Sequence, residues 1–231
     1  MFGVAIALIS ILFTNASCDS HEAVDRVYHV GYVLCSDHTC MRLSDFENSE
    51  GKVAVGVVFA EKTKDHPTLA VSLDEYSESF CDSTGMENNT SCSLTAFDGN
   101  TNTVAMQACY TYNDSLRCYF GCPIAMLPFS SGHFGQSLYI PSVAEMRLLT
   151  AAIPVVNPIL KSLGSQPLEI EGNCWYWTST EKDGNAANQA WLCSAKNGGI
   201  QETPKLEKHR VRAIVQLNYP DDVITDKTTE D

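Results

Sequence analysis

Apolar and polar positions change rhythm twice along this chain. The first stretch reads as strands: VYHVGYVLC, 27–35, is rich in β-branched and aromatic residues, and the SDHT turn at 36–39 leads into CMRL, which predicts a hairpin. KVAVGVVFA, 52–60, is a continuous apolar run of strand length, with TLAVSL, 68–73, as its antiparallel partner. Residues 74–100 are polar and turn-rich and hold Cys81 and Cys92, so an irregular loop stapled through cysteine is expected there.

At Asn102 the rhythm becomes helical. Asn102 reads as a cap, and Val104, Ala105, Ala108, Cys109 and Tyr112 follow at helical spacing. Ser142 and Glu145 have the spacing of a capping box, in which each side chain binds the other's free backbone N–H, and Met146, Leu149 and Ile153 form one apolar stripe behind it. Pro154 is expected to end or kink that helix, and Asn157-Pro158 to restart a short one that Gly164 stops, so two helices span Val143 to Leu163. From Cys174 strands return as CWYWTST, QAWLCSA, GGIQET and HRVRAIVQLNY, and the remainder, 220–231, is an acidic tail of disordered composition. The class is α+β.

All three tryptophans lie between Cys174 and Cys193. A hairpin closed by Lys182-Asp183-Gly184-Asn185 pairs residue 181 with residue 186. That register sets Cys174 opposite Cys193, a candidate disulfide, and Tyr176 opposite Trp191, with Trp175 and Trp177 on the other face beside Ala190 and Leu192. Both faces then carry large apolar groups: either both are core, which the area of aromatic side chains favours, or one is a ligand platform.

Composition adds the setting. With 231 residues, 44% apolar and 19% charged, the chain can bury a core as one large domain or two small ones. Its first seventeen residues hold an apolar run ending in small residues, the size of an export signal, although no Lys or Arg precedes it. Ordinary cleavage after Ala16 or Ser17 and lipidation of Cys18 are both open; Asn15-Ala16-Ser17-Cys18 favours the lipid, with 18–26 as a tether and the N-terminal lipid as the only membrane attachment. Ten cysteines in an exported chain suggest disulfides. A net charge of -13 disfavours nucleic acid and polyanionic ligands.

SLYIPSVAEMRLL, NPILKSLG, CWYWTSTE, AWLCSA and KHRVRAIVQL, in that order, resemble the C-terminal domain of the Legionella collagen-like surface protein family, as joined to other segments in exported proteins of Bacteroides-type bacteria. The matching residues are Ile140-Pro141-Ser142, Glu145, Trp177 to Glu181, Ala190-Trp191 and Val211-Arg212-Ala213, and the match covers about 97–217. The resemblance implies a C-type-lectin-like fold: two helices packed on a small twisted antiparallel sheet, at 97–219, preceded by a small N-terminal β unit at 27–96. Ser142, Glu145, Trp175, Trp177, Trp191 and Arg212 then have structural roles, with Arg212 at a strand end, paired with Glu145 or Glu181.

The chemistry of an enzyme is sparse. His-Glu-x-x-His, Gly-x-Ser-x-Gly and phosphate-cradling Gly-Lys-Ser/Thr patterns are missing, and His133 reads as a surface or structural residue. The carboxylates of calcium-dependent sugar binding are missing at Gln166-Pro167-Leu168 and Trp191-Leu192-Cys193. Cys35, His38, Cys40, Cys118 and Cys122 combine into a zinc site only on paper, so no metal and no cofactor is expected. The expectation is an exported, lipid-anchored, outer-membrane or cell-surface protein that binds a glycan or protein ligand without calcium. Its candidate contacts are Glu181, Asp183, Asn185, Asn188, Asn197 and Gln201, in loops carried by the Trp-rich hairpin. The alternative is a structural subunit of a surface appendage or complex, and an oxidase related to formylglycine-generating enzymes ranks third.

Overall fold

The computed structural model describes residues 28–217 except 110, 116 and 131–136. The expected signal, Cys18 and its tether, His133 and the acidic tail lie outside the described residues. Within them the chain runs β1 (Val33–Cys35), β2 (Cys40–Met41), α1 (Leu43–Glu47), β3 (Ala54–Ala60), β4 (Thr68–Ser79), α2 (Gly99–Ala108), β5 (Thr111–Asn113), β6 (Cys118–Phe120) and α3 (Pro123–Ser130). It continues through β7 (Leu138–Tyr139), α4 (Val143–Ser162), β8 (Trp175–Glu181), β9 (Gln189–Ser194), β10 (Ile200–Pro204) and β11 (Lys208–Leu217).

The α+β class holds, but a nine-stranded mixed sheet takes the place of a small antiparallel one. Its order is β10-β9-β8-β11-β4-β3-β1-β2, with β7 also on β11. β8 and β11 run parallel, and the other pairs in the sheet are antiparallel. The expected hairpins β1–β2 and β3–β4 both form. β4 also pairs along its length with β11, from Thr68↔Leu217 to Ser79↔Lys208, so the segments on either side of residue 96 share one sheet.

β4 reaches six residues beyond Leu73, into the stretch that reads as a loop. The polar residues there are held by charges across the strand boundary: Arg210 and Arg212 pair with Glu75, and Lys208 with Glu78. Opposite charges on neighbouring strands stabilise a ladder that apolar patterning cannot announce.

α4 is one helix of twenty residues, not two. Pro154 and Pro158 both lie on its exposed side. The carbonyls of Thr150 and Pro154, which lose their N–H partners, therefore face the solvent side, where water can satisfy them. The opposite stripe of Val143, Met146, Leu149, Ile153, Val156 and Leu160 is buried, and most of it joins Val57, Val71, Tyr176 and Ile214 in one core. Asn157 is not a cap. Its amide clamps the backbone of Leu168 from both sides, accepting from the N–H and donating to the carbonyl, each at 2.9 Å.

On the other face of the sheet, Met106 of α2 and Ile124 and Ala125 of α3 close a second core over Phe80, Trp177, Ala190, Leu192 and Val211. α2 begins at Gly99, ahead of Asn102, and ends before Tyr112, which falls in β5. A Cβ on Gly99 would come within 2.2 Å of Glu145 Oε2, so only glycine lets α2 start against the first turn of α4.

Candidate binding surface

Strands β8 and β9 form the Trp-rich hairpin in a register two residues away from the one its turn suggests. Trp175 faces Ser194, Tyr176 faces Cys193 and Trp177 faces Leu192, before a bulge that brings Glu181 opposite Ala190. Cys174 and Cys193 are therefore not cross-strand partners: both are free and buried, and Cys174 Sγ lies 3.3 Å from Ser194 Oγ. Burial pushes the Cys193 thiol up to about 11. A slip of two residues, unlike a slip of one, leaves every side chain on its own face. Trp177 thus sits, as expected, with Ala190 and Leu192, and Trp175 packs on the same cluster.

The tryptophans do not form a platform. Trp177 is fully buried, donates from its indole N–H to the Glu78 carbonyl at 3.1 Å, and meets Phe80 and His209 edge-on. Trp175 and Trp191 are half-buried. Lys182 Nζ lies 5.9 Å above the Trp191 ring and 2.9 Å from the carboxylate of Glu202, which stands opposite Trp191 on β10. Such a cation over an indole face adds a modest attraction at a site open to water.

The connection between the strands is not the expected four-residue turn: it runs from 182 to 188. It is closed by the Lys182 N–H to the Gln189 carbonyl and by turns at Asn185, whose side chain joins Gln189 and Asn188 at 2.9 Å each. The turn needs one left-handed residue, and Gly184 supplies it with φ 75°.

Glu181, expected in that loop, is an interior residue, 1% exposed. Its carboxylate forms an ion pair with the fully buried Lys205 and accepts from the Asn88 N–H at 2.8 Å and from the Thr90 N–H and hydroxyl at 3.1 and 2.9 Å. Lys205 also donates to Asn88 Oδ1 at 2.7 Å and lies 5.2 Å from the Phe80 ring. Burying two charges is stabilising only when their remaining hydrogen bonds are filled, as here. The cluster fastens the loop from below, and the Gly85 and Lys205 N–H groups bind the carbonyls of Ala187 and Asn188.

Asp183 and Asn188 are exposed on this loop and Asn185 is half-buried, while Asn197 and Gln201 are exposed at the far end of β9 and on β10. The six residues of β9, about 20 Å, separate Asn197 from that loop, whereas Gln201 stands opposite Leu192, three residues along β9 from Gln189, and its neighbour Glu202 reaches Lys182. Asn197 is thus remote from the loop, and Gln201 lies between them.

Ser142 and Glu145 make the expected capping box, but Glu145 is also buried and takes a hydrogen bond from Tyr139 at 3.1 Å. Burial pushes its carboxyl above the ordinary value, against the pull of the Ser142 N–H. Arg212 is not a strand-end charge. It is fully buried, pairs with Glu75 at 3.1 Å rather than with Glu145 or Glu181, and donates to the carbonyls of Leu73 and Gln166.

Two concavities lie elsewhere. An apolar groove of about 450 Å³ runs between the end of β3 and α4, lined by Phe59, Ala60, Leu148, Ala152 and Val155 with Glu61 and His66 at its rim. A polar depression of about 340 Å³ is bounded by Glu75, Asn173, Lys208 and Arg210. Among the described residues no three His, Cys, Asp or Glu side chains gather as metal ligands.

No protein-family model and no curated protein matches the chain. A solved structure, a fimbrial protein from Bacteroides ovatus, superposes with a TM-score of 0.62 at 16% identity, over 82% of this chain. This chain spans about half of that protein, 49% of its length. At this identity the likeness is one of fold, and the class it defines is that α+β architecture.

Proposed function

We propose that the chain is an exported surface protein that works as a structural or accessory subunit of a surface appendage. The fold shared with the fimbrial protein over most of this chain is the observation that carries the reading. The burial of Trp177 takes it out of any open platform, because it packs in the chain's own core. In this reading residues 97–217 keep a lectin-like arrangement of α2 and α4 around β8–β11, and an N-terminal lipid on Cys18 holds the protein at the outer membrane.

The adhesin is the second reading. The exposed Asp183 and Asn188, on a loop fastened to a buried ion pair, favour it. Deleting the gene in the source bacterium and imaging the cells, with immunogold against the protein, separates the two. Label on filaments, or filaments lost or shortened in the deletion, is expected for the subunit. Diffuse label, unchanged filaments and saturable glycan binding abolished by D183A/N188A would replace it with the adhesin.

A further inference from the structure

After β4 the chain leaves the sheet, runs through α2, β5 and β6, and comes back beside the end of β4 just before α3. Cys81 stands at the exit and Cys122 at the return, 41 positions apart. Their sulfurs lie 3.3 Å apart, and both side chains are buried in the core around Trp177. We propose that Cys81 and Cys122 form a disulfide that covalently closes this excursion.

The backbone on either side is already held in place for the bond. The Asp82 N–H donates to the Gly121 carbonyl at 3.1 Å, the Gly121 N–H donates to Asp82 Oδ1 at 2.8 Å, and the Cys81 N–H donates to the Lys205 carbonyl at 3.1 Å. A disulfide needs about 2.05 Å between sulfurs, so the two sulfurs stand roughly an ångström from bonding distance. The other cysteine pair singled out from the chain, Cys174 and Cys193, lacks this arrangement, since Cys193 pairs with Tyr176.

In the folded chain the two thiols have different surroundings. The hydrogen bond from Cys122 and the ammonium of Lys205 lower the Cys81 thiol, whereas the Cys122 thiol is held well above its ordinary value by the same contact with Cys81 and by burial. The thiolate of one of the two cysteines attacks the disulfide of an oxidant, a glutathione disulfide or an oxidised thiol–disulfide oxidoreductase, and one oxidant thiolate leaves. The other cysteine then gives up its proton, attacks the sulfur of the first in the mixed disulfide and displaces the second thiolate. Two thiol protons and two electrons pass to the oxidant, and the Cys81–Cys122 bond remains. Because both thiols are buried in the native state, this occurs while the chain folds.

The bond is independent of the appendage reading. The full chain is refolded in mixed oxidised and reduced glutathione, denatured in an alkylating agent without reductant, digested and mapped by mass spectrometry. Expected is one species in which the Cys81 and Cys122 peptides are joined and are released by reductant. Reduction should lower the melting temperature by roughly 10 °C, the effect of reopening a loop of this length, and C81S/C122S should melt at the lower temperature with or without reductant. Full alkylation of both cysteines in the oxidised wild-type chain, or Cys122 joined to another cysteine such as Cys109, overturns the proposal.

Discussion

Lys205 and Glu181 show what a single residue's surroundings decide. In the chain they are a lysine in a polar turn and a glutamate at the end of a strand, two residue types that water usually keeps. Folding removes both from solvent and fills their bonding capacity with Asn88 and Thr90. Removing one partner leaves a buried charge unmatched, so Lys205→Met should lower the unfolding free energy by about 3–5 kcal/mol. The double variant E181Q/K205M should lose clearly less than K205M alone, because no charge is then left unpaired. Urea denaturation of the wild type, E181Q, K205M and the double variant measures this; a loss in the double variant equal to the sum of the two single losses would mean that the pair is not coupled.

At the scale of elements, α4 is governed by its two ends and its buried stripe. The capping box at Ser142 and Glu145 is fully legible in the sequence, because it depends on residues three apart. The burial of Glu145 under α2 is not legible, since it needs Gly99, more than forty positions earlier. Burial raises the Glu145 carboxyl above its ordinary value. A carboxyl raised in the folded state binds its proton more tightly there than in the unfolded chain. Its contribution to stability is whole below the unfolded value and is lost as pH rises through the folded one. As pH rises from the ordinary carboxylate value, Glu145→Gln should therefore lose less stability, or gain more, than the wild type, read as urea midpoints at each pH. Parallel pH curves for the two proteins would show that Glu145 does not titrate in this window. The helix also runs through two prolines, which sequence rules read as stops. Those rules count the lost hydrogen bonds but not the buried stripe of α4, which holds the helix on the sheet.

For the molecule as a whole, the decisive feature is that β4 and β11 are neighbours. The first strands and the last are halves of one sheet, and the core under α4 draws residues from β3, β4, β8, β9 and β11 alike. A fragment beginning at residue 97 would expose the edge of β11 and lose Val57, Phe59, Leu69 and Val71 from that core. Expressed alone, residues 97–217 should lack the cooperative thermal unfolding of the full chain, as circular dichroism would show. A sharp transition in the fragment would restore two independently folding units. The same sheet spreads the candidate contacts along β9: Asn197 and the 182–188 loop lie at its opposite ends, and Gln201 lies between them on β10.

What the sequence determined by itself is local: strand-rich beginning and end, the capping box, the face each tryptophan takes and the two short hairpins. Each follows from residues a few positions apart, and side-chain faces depend only on parity, so they survive a register two residues off. The tertiary structure alone decided the breadth of the sheet, the unbroken course of α4, the partners of Arg212 and Glu181, and the meeting of Cys81 with Cys122. These rest on contacts between residues tens of positions apart, formed by charge pairing and burial, for which the local pattern of a chain carries no signal.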